Sequence, residues 1–300
     1  MTTLLCIGFG YCAQHYAAEF GSRFERIVGT TRSVERAEAL AGMTFGERRV
    51  EMLVFDGRTA SRPIISALKE ADALLISAGP ADGIDPVLAV LADEILRAPH
   101  LSTVVLLSTL SVYGDHGGAV VSETTPPEPV TARGRGRLDA ERAWETLGAR
   151  RSLPVACLRL AGIYGPGQNA LLSVARGTAR RINKPGQVFN RIHVADIAQA
   201  IDAAFAQRAN GVFNVTDDEP SPPGDPIAFA AQLLQTPVPP EIDLADAVKS
   251  MTPMALSFYR ESKRVDNARL KNALGITLRY PTYRDGLRAL HKPAGVQPET

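Results

Sequence analysis

Thr3-Leu-Leu-Cys-Ile7 followed by Gly8-Phe9-Gly10-Tyr11-Cys12-Ala13 decides the fold. An apolar run short enough for a buried strand breaks at two glycines and passes into helix-compatible sequence. The spacing is G-x-G-x-x-A. Gly8 permits a backbone angle barred to residues with a Cβ, and Gly10 lets the main chain approach a pyrophosphate. Ala13 is small enough for a helix to lie close on a sheet. The first amides of that helix, framed by Phe9 and Tyr11, then face phosphate oxygens. A purely structural glycine turn is the competing reading. The turn's place near the N-terminus and a second strand-like run, Arg26-Ile-Val-Gly-Thr30, one βαβ unit later favour a dinucleotide site.

The residues after that second strand select the cofactor. A site for NAD normally places Asp or Glu here to bind the adenine ribose, whereas this chain reads Thr30-Thr31-Arg32-Ser33. A guanidinium with the hydroxyls of Thr31 and Ser33 beside it suits a 2′-phosphate. The sequence therefore predicts NADP(H) over NAD(H), with NAD as the alternative. Ser33 also reads as the cap of the next helix, with Arg32 solvated, and the two readings use different groups.

Length and charge bound the rest. A 300-residue chain can bury a sizeable core. Its 33 Lys and Arg against 32 Asp and Glu give no field that would favour nucleic acid or an anionic membrane. Cys6, Cys12 and Cys157 form no disulfide framework, and the five histidines have no metal-ligand spacing. No apolar run approaches a membrane span, and no basic region precedes the N-terminal one. A cytoplasmic protein without metal, acting on a small molecule, is the expectation.

Strand-like runs recur at 3–7, 26–30, 50–55, 72–77, 103–108, 155–160 and 211–215. Helical segments such as 11–20, 33–41, 86–97 and 138–149 lie between them. This alternation predicts an α/β fold, a doubly wound parallel sheet of the Rossmann type. Prolines then cluster at Pro220, Pro222, Pro223 and Pro226, and no later run suits a central strand. The expected division is a dinucleotide-binding domain of 1–165 plus 191–216, and a smaller C-terminal substrate lobe of 166–190 plus 217–300. Strand ends supply further cofactor contacts: Asp56 after the third strand for the adenine amino group, and Ala78-Gly79 after the fourth for the nicotinamide half. Each is otherwise an ordinary strand-ending turn.

Three later segments carry a resemblance. Leu107-Ser-Thr109-Leu-Ser-Val-Tyr113-Gly114 resembles the S-[ST]-x-x-V-Y-G segment of the extended short-chain dehydrogenase/reductases, the NAD-dependent epimerase/dehydratase family. Arg159-Leu-Ala-Gly-Ile-Tyr164-Gly-Pro-Gly167 is similar to that family's R-x-x-x-x-Y-G-P-G. Arg191-Ile-His193-Val-Ala-Asp196-Ile-Ala198 is similar to its I-H-V-x-D-[IVL]-A. With the opening glycines these span about 190 residues in the expected order. The resemblance implies that Thr109 bonds the substrate oxygen being oxidised or reduced. His193 reads as a core residue, and Asp196 as a cap or anchor for the following helix. Related proteins often pair through a four-helix bundle, so a homodimer is a further expectation.

One departure stands out. Where the family places Tyr-x-x-x-Lys, alignment of Arg137-Leu138 puts Arg133 at the tyrosine and Arg137 at the lysine. Arginine releases no proton near neutral pH. Arg137 could still donate to ribose hydroxyls, and Arg133 could clamp an anion. Helical spacing puts both on one face, with Arg135 elsewhere. A solvated basic turn loosened by Gly134 and Gly136 is the competing reading, and an RNA-binding Arg-Gly tract lacks interleaved aromatics. Tyr113 and Tyr164 are the replacement phenols to test, and Arg191, like Arg133 and Arg137, could hold an anionic part of a substrate. Two functions fit: an NADP-dependent oxidoreductase or epimerase, or a non-catalytic NADP(H)-binding sensor.

Overall fold

A computed structural model describes residues 2–81 and 83–291. Seven strands form the central sheet: β1 (Thr3–Ile7), β2 (Arg26–Thr31), β3 (Glu51–Val54), β4 (Ala73–Ile76), β5 (Thr103–Thr109), β6 (Val155–Leu160) and β7 (Gly211–Val215). Their order is β7-β6-β5-β4-β1-β2-β3, with every pairing parallel. The order reverses between β1 and β4, so the crevice of this doubly wound sheet opens beyond their C-terminal ends.

Period-two alternation splits the core. Leu4 and Cys6 face one apolar layer, which holds Tyr16 and Ile201. Leu5 and Ile7 face the other, with Ile64, Leu91 and Trp144. The first layer is covered by α1 (Tyr11–Phe20) and by α7 (Val194–Ala206). The second is covered by α3 (Arg62–Glu70), α4 (Pro86–Arg97) and α5 (Ala132–Arg151). Helix α2 (Val34–Ala41) follows β2, and α6 (Ala170–Ala175) lies between β6 and α7. After β7 come α8 (Asp225–Leu233), α9 (Leu244–Ala247), α10 (Pro253–Phe258), α11 (Ala268–Leu274) and α12 (Tyr283–His291). Tyr164, Leu171, Ala230, Tyr283 and Leu287 form a third, smaller core there. The short strands after β7, Glu241–Asp243 and Arg264–Val265, pair outside the central sheet.

Helix α5 starts at Ala132, six residues before the segment read as helical, and so takes in the Arg-Gly tract. Thr131 caps it, its Oγ1 accepting from the Gly134 amide at 3.0 Å. The two glycines sit at close contacts: a Cβ on Gly134 would lie 2.8 Å from the Ser111 carbonyl oxygen, and one on Gly136 would lie 3.1 Å from Gly83 Cα. Each costs the helix about 1 kcal/mol relative to alanine, in exchange for that approach. The tract is a packed helix start, not a solvated turn.

Candidate active site

The turn after β1 is held from both sides. The Gly8 amide donates to Thr30 Oγ1 at 3.0 Å, and the Phe9 amide to the Thr30 carbonyl at 2.7 Å. Gly8 has φ of +91°, and a Cβ there would come within 2.7 Å of the Ala78 nitrogen at the end of β4. Here glycine is required twice, by angle and by space. Gly10 differs: its backbone is extended, and a Cβ would meet nothing within 4 Å. Gly10 also caps α1 without a side chain, and no acid lies in that helix's first turn. These residues fit a pyrophosphate, since the helix start offers amides and room with no competing carboxylate.

Around this turn the predicted cofactor contacts divide. Phe9 contributes main chain only, because its ring is buried against Phe45 at 5.0 Å. Tyr11 donates its hydroxyl to the Pro166 carbonyl at 2.8 Å, which ties α1 to the Gly-Pro-Gly segment. Arg32 is exposed, and it makes no ion pair among the described residues. Ser33 Oγ accepts from the Arg36 amide at 3.3 Å, and its hydroxyl is engaged by the Glu35 carboxylate in the first turn of α2. The Thr31 hydroxyl is engaged too, donating to the Ser33 carbonyl at 2.9 Å. As phosphate donors Thr31 and Ser33 are therefore corrected. Asp56 Oδ1 accepts from the Arg58 amide at 2.8 Å and the Thr59 amide at 3.3 Å, so it also fixes its own turn.

A cavity of about 720 Å³ opens at the C-terminal edge of the sheet, lined by Cys12, Ser77, Thr109, Arg133, Arg137 and residues far along the chain. Its size is that of a small-molecule site. Arg137 reaches from α5 across the strand ends. Its Nη1 donates to the Leu107 carbonyl at 2.8 Å, and its guanidinium lies where a Cβ on Gly79 would be. Burial lowers its pKa, with Arg133 as a second cause. Arg133 and Arg137 share the cavity wall, whereas Arg135 turns toward Pro129. Thr109 Oγ1 accepts from the Ser111 amide at 3.2 Å, and its hydroxyl proton is left for a ligand oxygen. Burial pushes the Cys12 thiol up to about 12, which makes it a neutral wall residue.

Helix α5 is held in place by a buried ion pair. Arg159 on β6 donates through Nη2 to Glu141 Oε2 at 2.7 Å, and Ser108 on β5 donates to Glu141 Oε1. Both charged side chains are almost fully buried. This pair sets the helix face that carries Arg133 and Arg137.

Three predicted residues lie elsewhere. Tyr113 is fully buried, with its hydroxyl donating to Asn214 Oδ1 at 2.7 Å and Arg159 over its ring, and burial raises its pKa. Tyr164 belongs to the third core and donates toward the Thr282 carbonyl at 3.4 Å. Neither phenol lines the cavity, so both are corrected as proton donors. Arg191 spends its guanidinium on Ser221 Oγ and on the carbonyls of Phe189, Ser221 and Pro222, which makes it a fastener of that loop. His193, read as core, is buried and also caps α7, its Nδ1 accepting from the Ala195 amide at 3.1 Å. Asp196 instead accepts from the amides of Arg279 and Tyr280, anchoring the chain after α11.

Sequence reading missed Glu261 and Lys263, which complete the polar wall. Lys263 Nζ donates to Glu261 Oε2 at 2.8 Å and to the Gly114 carbonyl at 2.6 Å, with both side chains buried. The Gly114 contact lies 149 residues away in sequence, so no local motif announces it.

A doubly wound sheet, a glycine turn at its switch point and a polar cavity beside it make a site that fits a dinucleotide. The model of the NAD dependent epimerase/dehydratase family matches residues 87–216. That match takes in the strands β5, β6 and β7 and the helices α5 and α7. A solved structure of a functionally unknown conserved protein from Silicibacter pomeroyi DSS is 47% identical, covering 97% of this chain and 98% of that one, with a TM-score of 0.85. A dTDP-glucose 4,6-dehydratase from Bacillus anthracis str. Ames, solved in complex with NAD, shares the fold at 16% identity, covering 97% of this chain and 96% of that one, with a TM-score of 0.76. A Streptomyces sp protein named 3-diazoavenalumate denitrifying reductase is 28% identical over 205 residues, 65% of this chain. That match spans 66% of the reductase, just under two thirds of its length. Among the described residues no helix is long and apolar enough to cross a membrane.

Proposed function

We propose that the protein is an oxidoreductase of this family that takes NADP(H) in preference to NAD(H), with a small-molecule substrate held between the sheet edge and a C-terminal lobe of 166–190 plus 217–300. The observation that carries this reading is Thr109, Arg133 and Arg137 lining one cavity beside the glycine turn. When bound, the nicotinamide supplies or accepts the hydride. Gly10 and the start of α1 hold the diphosphate, and Arg32 holds the 2′-phosphate. Arg137 donates to ribose hydroxyls, Thr109 donates to the reacting oxygen, and Arg133 holds a substrate anion without giving up its proton. The reductase name of the Streptomyces relative supports reduction as the working direction.

Titrating NADPH and NADH against wild type and Arg32→Ala tests the cofactor half. Tighter NADPH binding that Arg32→Ala narrows is expected, and equal wild-type affinities would overturn the preference. A second reading, a non-catalytic NADP(H) sensor, is favoured by one observation: no tyrosine lines the cavity among the described residues. Tight cofactor binding with no cofactor oxidation across a panel of carbonyl compounds and sugar nucleotides would decide for the sensor.

A further inference from the structure

The cavity wall has two chemically distinct parts. One part is cationic: Arg133, Arg137 and Lys263 stand against a single carboxylate, Glu261. Two of these cations are committed. Arg137 bonds the Leu107 carbonyl, and Lys263 is satisfied by Glu261 and the Gly114 carbonyl. Arg133 is exposed and makes no ion pair among the described residues, so its guanidinium fork has no acceptor of its own.

The other part is apolar and comes from the later chain: Phe189 with Met254 and Phe258 of α10. Met254 is 62% exposed and Phe258 50% exposed, four residues apart on one helix face. Two large apolar side chains left in water at the rim of a cavity are poised to cover something apolar. A ligand that satisfies both parts has a flat apolar body and one anionic group that accepts from a guanidinium fork. A sugar has no such body, and a diphosphate carries more negative charge than one uncommitted arginine balances.

We propose that this cavity takes a small aromatic carboxylate, its carboxylate on Arg133 and its ring against Phe258 and Met254. The proposal rests on the reading of this cavity as the substrate site and adds the chemistry of that substrate.

The test is calorimetric titration of the full chain with trans-cinnamate, with and without saturating NADP⁺. Cinnamyl alcohol lacks the charge, acetate lacks the ring, and UDP-glucose represents the nucleotide sugars. Cinnamate is expected to bind saturably, with the alcohol and acetate at least about tenfold weaker. Arg133→Gln should weaken cinnamate by about tenfold and leave the alcohol unchanged, whereas Phe258→Ala should weaken both. Both side chains are exposed, so neither change threatens the fold. No saturable cinnamate binding in either condition, cinnamate binding indifferent to both variants, or tighter binding of UDP-glucose would each overturn the proposal. NADP⁺ binding without cinnamate binding sinks this proposal alone. Cinnamate binding without either dinucleotide sinks the cofactor reading alone.

Discussion

Replacing Gly10 with alanine separates the cost of folding from the cost of holding a cofactor. The Gly10 backbone is extended, which any residue can adopt, and an added Cβ meets nothing within 4 Å. Glycine-to-alanine at a helix cap that bonds through no side chain changes stability by less than about 1 kcal/mol. The methyl group does, however, enter the space where a diphosphate must approach the amides of α1. Losing one charge-assisted hydrogen bond costs about 1.5–3 kcal/mol, a rise in Kd of about ten- to a hundredfold. Gly8→Ala is the contrasting control. It combines a φ of +91° with a Cβ 2.7 Å from backbone, so it should lose about 1–2 kcal/mol of stability from the angle alone. Urea unfolding with cofactor titration by calorimetry reads both quantities. Gly10→Ala that binds NADP⁺ as well as wild type would refute the placement of the diphosphate.

Three further outcomes follow from the site's construction. Glu141→Ala leaves Arg159 buried without its carboxylate and should cost about 3–5 kcal/mol, with the Glu141→Leu/Arg159→Met double variant recovering most of it in urea unfolding. Burial holds His193 down at about 4, so it folds neutral. Its stabilising share is present above pH 6.5 and is lost as pH falls through 4, on the order of 3 kcal/mol. His193→Asn keeps an acceptor for the Ala195 amide, so its stability profile should be flatter across that window. Thr109→Ala should lower kcat by about 10²-fold once a substrate is in hand, with Thr109→Ser retaining most activity in steady-state kinetics.

The sheet was legible because its central strands are buried on both faces. Runs such as Ala73–Ile76 and Val104–Leu107 are continuously apolar, and glycines or polar residues end them. The start of α5 was hidden because its glycines answer to Ser111 and Gly83, contacts that helix propensity does not register. The i, i+4 spacing of Arg133 and Arg137 was readable, since it depends only on helical period. Tyr113 was misplaced because Asn214, 101 residues away, captures its hydroxyl. Lys263 went unseen for the same physical reason. Its partner carbonyl and its cavity exist only after the chain following β7 folds back onto the strand ends.

A crystal structure of the chain grown with NADP⁺ would locate the dinucleotide outright. The diphosphate is expected against the amides following Gly10, the 2′-phosphate at Arg32, and the nicotinamide half near Gly79, Arg137 and Thr109. Density for the dinucleotide elsewhere on the molecule, or a 2′-phosphate turned away from Arg32, would contradict that placement.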